Sequence, residues 1–160
     1  MKLASIFSGF TYIDTLEATE KFAGIRELVT AMHAEDVFPP GKTVGEIFGL
    51  VRSREDLGTT GIGNGIAFPH CKVPGIDRVY VGLARSGAGI AYRAVDGQPV
   101  KVMILMLLPE DRPDEQLLIK KRVVEFLRRP NTTRLILQAD SKKAILELVR
   151  EEDEAIAQQN

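Results

Sequence analysis

The sequence contains no tryptophan, one cysteine and two histidines. A single cysteine excludes an internal disulfide and fits a reducing compartment. Cys71, His33 and His70 are the only soft ligands, too few for a Cys-rich zinc site, so no metal is expected. Neither sign of charge dominates: 21 Lys+Arg stand against 22 Asp+Glu, a formal net charge of −1. Nucleic-acid binders usually carry a basic excess, so no nucleic-acid partner is expected. Long hydrophobic runs are also missing. The longest, Val102 to Pro109, is too short to span a bilayer. The first residues, Met1 to Ser8, lack a sustained apolar stretch and a clear cleavage site, so a cytoplasmic location is expected.

What is present describes one folded unit. The chain has 160 residues, of which 44% are hydrophobic. That is the usual length of one domain with a packed core. No repeat or Pro/Gly/Ser linker divides it, so residues 1–160 are expected to form a single domain.

Hydrophobic periodicity predicts the elements. A short strand is expected around Tyr12 to Leu16. Thr19 then suits a helix N-cap, and Phe22, Ile25, Leu28, Val29 and Met32 recur at helical spacing through Ala34. His33 reads as a cation facing the end of that helix's dipole rather than as a catalyst. Thr43 and Glu46 form a capping box for a second helix ending near Arg54. Ile66–Phe68 is a short strand closed by Pro69-His70. Val79–Arg85 and the region of Gly89–Arg93 alternate like strands, and Asp96-Gly97 predicts a hairpin turn. Val100–Leu108 is a continuous apolar run with Lys101 near its start, the pattern of a strand buried on both faces. Three helices follow: Asp114–Arg128 with Leu117, Leu118, Val124 and Leu127 inward, one capped by Asn131, and one capped by Ser141. Tight turns demand antiparallel strands and helical crossovers suggest parallel ones. The expected fold class is α/β, a three-layer α/β/α arrangement with a central mixed β-sheet.

Two phosphate-loop patterns fail on inspection. Gly41-Lys42-Thr43 resembles the end of a nucleotide-binding loop, but Asp36 stands where the motif needs glycine and no strand precedes it. Gly61, Gly63 and Gly65 follow a helix and lead toward a strand, the reverse of the dinucleotide fingerprint. They admit two readings: a tight loop needing positive φ, or a backbone that lets an anion approach closely. Just downstream, His70 is held by the stiff Pro69 backbone. Arg54 could clamp an anion in bidentate fashion, and Thr59 and Thr60 could donate hydroxyls. A neutral imidazole is a nucleophile near pH 7 and can carry a phosphoryl group. Cys71 adjoins His70, but adjacent strand residues point to opposite faces, so Cys71 is read as a small buried residue. Lys120-Lys121-Arg122 and Arg128-Arg129 read as the solvated face of their helix, with partner docking as a second reading.

The stretch Arg54-Glu55-x-x-x-Thr59-Thr60-Gly61-Ile62-Gly63-Asn64-Gly65-Ile66-Ala67-Phe68-Pro69-His70 resembles the active-site segment of the fructose/mannitol-type (type-2) enzyme IIA domains. These belong to the phosphoenolpyruvate-dependent sugar phosphotransferase system and include the nitrogen-regulatory IIA protein. Gly89-Ile90 and Val95 to Val100 also resemble the family's hairpin and buried strand, and the resemblance runs from about residue 12 to 152. It implies a phosphohistidine phosphotransferase component with no cofactor. His70 matches the phosphorylated histidine and Arg54 the arginine that assists it. Thr59, Thr60, Gly61 and Gly63 would support the phosphoryl group. The implied donor is an HPr-type phosphocarrier, and the implied acceptor a IIB domain or a regulatory target. Peripheral contact with a membrane permease is compatible with this role. Phe68 and Cys71 replace the commoner small aliphatic residue and glycine. The larger departure is Gln116, which stands where sugar-transporting members carry a second histidine; an amide can neither hold a charge nor shuttle a proton. That shifts the expectation toward a regulatory IIA protein. The alternative is a non-catalytic IIA-like module that binds partners without phosphoryl transfer.

Overall fold

The computed structural model describes residues 1–160. In chain order the elements are α1 (Leu3–Ile6), β1 (Thr11–Ile13), α2 (Lys21–Ala34), α3 (Val44–Asp56), β2 (Gly61–Gly63), β3 (Ile66–Ala67) and β4 (His70–Val73). They continue with β5 (Tyr80–Ile90), β6 (Val100–Pro109), α4 (Pro113–Leu127), α5 (Thr132–Gln138) and α6 (Lys142–Gln159). The six strands form one sheet in the order β1-β5-β6-β3-β2, with β4 also paired to β6. β5 and β6 are antiparallel, as are β2 and β3. β1 runs parallel to β5, and β3 and β4 run parallel to β6. The sheet is therefore mixed, as expected.

The apolar run of β6 explains the layering. Successive side chains of a strand face opposite ways. Val100, Met103, Leu105 and Leu107 join the core beneath α2 and α3. Val102, Ile104, Met106 and Leu108 join the core beneath α1, α4, α5 and α6. Each side chain fully withdrawn from water contributes about 1.5–3 kcal/mol. On one face Gly82 lets α2 approach, since a Cβ there would lie 2.8 Å from Met32 Sδ. No helix is long and apolar enough to cross a membrane.

Two caps sit where the sequence puts them. Thr43 Oγ1 accepts from Glu46 N at 3.1 Å, and Ser141 Oγ accepts from Ala144 N at 3.1 Å. Other boundaries differ for identifiable reasons. Thr19 does not cap α2, because its carbonyl accepts from Ala91 N at 3.0 Å and Glu20 bridges Ala91, which holds the segment extended. Asn131 precedes α5 at φ 70° without a side-chain cap. Leu117 and Leu118 are exposed, and the buried stripe of α4 is Gln116, Ile119, Val123, Phe126 and Leu127. Asp96-Gly97 is a turn inside the longer β5–β6 connection rather than a two-residue hairpin. Gly89–Arg93 forms no strand of its own, because β5 continues to Ile90.

The short strands position the site. Asn64-Gly65, at φ 56° and 76°, turns β2 into β3. β3 and β4 then lie end to end along β6, separated by Phe68-Pro69. Pro69 has no N–H to offer, but its carbonyl accepts from Met106 N at 3.0 Å. His70 consequently opens a strand rather than closing one.

Candidate active site

His70 sits at the sheet edge, paired across to Met106. Its ring packs against Phe68, with centroids 5.1 Å apart and planes tilted by 30°. Nδ1 lies 2.9 Å from the Phe68 carbonyl. A carbonyl only accepts, so Nδ1 carries the proton and Nε2 of the neutral ring presents its lone pair. Burial pushes the pKa below the ordinary 6.5, and the Arg54 and Lys120 charges push the same way. The Phe68 carbonyl and Glu55 pull upward more weakly than burial pushes down. The ring is therefore a neutral nucleophile at physiological pH.

His70 opens into a cleft of about 440 Å³ between the α3 and α4 layers. Leu50, Ser53, Arg54 and Leu57 line it from the end of α3. His70, Cys71 and Lys72 come from β4, Leu108 from β6 and Lys120 from α4. Arg54, Lys72 and Lys120 all stand in or at the rim of this cleft, no carboxylate lines it, and none of the three cations forms an ion pair. Arg54 Nη1 donates to Gly58 O at 3.1 Å, which holds the guanidinium at the helix end. The arrangement suits an anion delivered to Nε2.

The residues expected to support the phosphoryl group lie elsewhere. Thr60 is buried, and its hydroxyl donates to Glu55 and meets Tyr92 Oη at 2.8 Å. Glu55 also accepts from Thr60 N at 2.9 Å and from Lys21 Nζ at 3.0 Å. Lys21 Nζ lies 4.5 Å over the Tyr92 ring. Burial and the Glu55 charge push the Tyr92 phenol far above its ordinary value, so it stays a neutral donor. Thr59 Oγ1 accepts from Gly61 N at 3.1 Å, and Thr59 lines a separate open cleft of about 1200 Å³ with Lys21 and Tyr92. Gly61 permits close packing, since a Cβ there would lie 2.7 Å from Ala94. Gly63 adopts φ 98° ahead of the turn, as a tight loop needing positive φ requires. Thr59, Thr60, Gly61 and Gly63 thus do not line the His70 cleft; they shape the segment that carries His70.

Gln116 is buried and does not line the cleft either. Its Nε2 donates to Pro109 O at 2.6 Å and Glu110 O at 3.3 Å, tying the start of α4 to the end of β6. Cys71 is buried, and burial pushes its thiol up to about 12, which leaves it unreactive. His33 stands edge-on to Phe38 at 4.9 Å, in the last turn of α2. Lys120 is the residue that sequence reasoning missed. It is half-buried in the His70 cleft rather than on the solvated face. One clue was available: it lies one helical turn beyond Gln116.

Residues 10–152 match the family model described as phosphoenolpyruvate-dependent sugar phosphotransferase system, EIIA 2. The chain belongs to this family. It is 28% identical over 153 residues to the fructose-specific EIIABC component of Bacillus subtilis, covering 96% of the chain but only 24% of that larger protein. It is also 28% identical to the nitrogen regulatory protein of Bradyrhizobium diazoefficiens, over 91% of the chain and 92% of the relative. The fold agrees with solved structures. Neisseria meningitidis nitrogen regulatory protein IIA-Ntr superimposes with a TM-score of 0.79 at 20% identity, over 92% of this chain and 94% of that one. The Escherichia coli IIA-mannitol domain, solved in complex with phosphorylated IIB-mannitol, gives 0.69 at 16% identity, over 88% and 94%. In that structure it is the mannitol IIA domain that is seated against its IIB domain.

Proposed function

We propose that this IIA protein accepts a phosphoryl group on His70 Nε2 from an N-phosphorylated histidine of an HPr-type phosphocarrier. The observation that carries the reading is the neutral Nε2, facing a cleft with unpaired cations and no carboxylate. The Nε2 lone pair attacks phosphorus in line and forms the new P–N bond. The carrier's P–N bond breaks, and its electron pair stays on the carrier nitrogen. The proton stays on Nδ1, donated to the Phe68 carbonyl, throughout. Arg54 holds the equatorial oxygens, so the protein contributes positioning and charge. The loaded group then passes to a IIB domain or persists as a regulatory mark that a target protein reads by its negative charge.

Gln116 favours the regulatory outcome. An amide bonded to two carbonyls supplies neither charge nor a mobile proton for onward transfer. The test combines the purified chain with enzyme I, the phosphocarrier and phosphoenolpyruvate, followed by intact mass. The expected result is one added phosphoryl group that is labile in acid and stable in alkali. No mass gain with cognate carriers supports instead the alternative of a module that binds without transfer.

A further inference from the structure

We propose that Lys120 is a further catalytic residue of this transfer, its ammonium holding an equatorial phosphoryl oxygen from the α4 side while Arg54 holds another from the α3 side. The inference rests on the phosphoacceptor reading of His70 and deepens it. Lys120 shares the cleft with His70 and Arg54, and Leu108 at the end of β6 lies between their layers. It forms no ion pair, although Arg122, two residues on, pairs with Asp153. α4 therefore keeps one cation of its basic run for the cleft and engages another in the fold.

Position on the helix strengthens the assignment. Gln116 lies one turn before Lys120 on the same face of α4, but its amide is turned onto Pro109 and Glu110. α4 thus presents no charge to the site at position 116, and Lys120 presents one. A lysine ammonium with rotatable donors on a flexible stem suits an oxygen whose position shifts as the P–N bond changes partner. The ammonium keeps its protons throughout, and no group is transferred to it.

Cation crowding in the cleft gives the same indication. Lys120 faces Arg54 of α3 and Lys72 and His70 of β4, with the neutral Cys71 thiol behind. Burial, Lys72 and Arg54 all press the Lys120 pKa below its ordinary 10.5. A phosphoryl dianion arriving at His70 relieves that repulsion, which makes the arrangement stronger toward the bound group than toward the free site.

The experiment measures the phosphoryl uptake rate of wild type, Lys120→Gln and Lys120→Arg from the phosphorylated carrier across pH. Lys120→Gln is expected to slow uptake about tenfold to a hundredfold. Lys120→Arg is expected to keep most of the rate. The wild-type rate should fall on the alkaline side as Lys120 loses its proton, and Lys120→Arg should lack that fall. Lys120→Gln running at the wild-type rate overturns the inference, as does Lys120→Arg being equally slow. Wild-type protein that takes up no phosphoryl group refutes the phosphoacceptor reading itself, so the two failures are distinguishable.

Discussion

Two neighbouring residues, Arg54 and Glu55, diverge at the end of α3. Arg54 points into the His70 cleft with no carboxylate partner, among other cations that are also unpaired. Glu55, the next residue, is buried and fully engaged by Lys21, Thr60 and the Thr60–Tyr92 hydroxyl pair. One helix turn therefore supplies both a charge withheld from pairing and a charge locked in pairing. A buried charge must be paired to be tolerated. A cation left unpaired beside a neutral nucleophile is an arrangement waiting for an anion. The comparison separates the part of the segment that performs chemistry from the part that holds it in place.

The contrast can be broken most completely at the nucleophile. His70→Ala is expected to abolish phosphoryl uptake, read by intact mass, while leaving cooperative thermal unfolding in place. Glu55→Ala strikes the other side. It strands Lys21 and the Thr60 donors and is expected to lower stability by about 3 kcal/mol in urea unfolding. Its uptake rate per folded molecule should change less than that of Arg54→Ala. Arg54→Ala, by contrast, should slow uptake about tenfold to a hundredfold with little change in the urea midpoint. Reversal of these two patterns would show that the paired and unpaired roles had been assigned the wrong way round.

The smallest expected effect concerns pH. In the unfolded chain His70 takes its proton near the ordinary 6.5, whereas in the folded chain burial delays protonation to a lower pH. Between those values unfolding takes up a proton, so acidification through that window removes stability. Thermal midpoints followed from neutral to mildly acidic pH should fall more steeply for wild type than for His70→Ala.

Much of the architecture was legible because it follows from local rules. The β6 run announced a strand buried on both faces, and Thr43 and Ser141 announced the starts of α3 and α6. His70 and Arg54 were legible as a pair, and the structure brings them to one cleft. The segment between them was read less well. Thr59 and Thr60 looked available because nothing local reveals that Glu55 is buried and bonds Thr60 five residues on. Tyr92 and Lys21, remote in sequence, complete that network. The α4 stripe slipped because Leu117 and Leu118 are apolar but exposed, while the polar Gln116 is buried by its bonds to the β6 end. Lys120 was hidden inside a basic run whose other members face solvent or pair with α6.

The most direct measurement places the phosphoryl group on an atom. With only two histidines in the chain, His33 is a built-in control. Nitrogen-15-labelled protein loaded by the phosphorylated carrier should show phosphorus coupled to Nε2 of His70 and an unaltered His33. Coupling to Nδ1, loading of His33, or no loading of either ring would contradict the account.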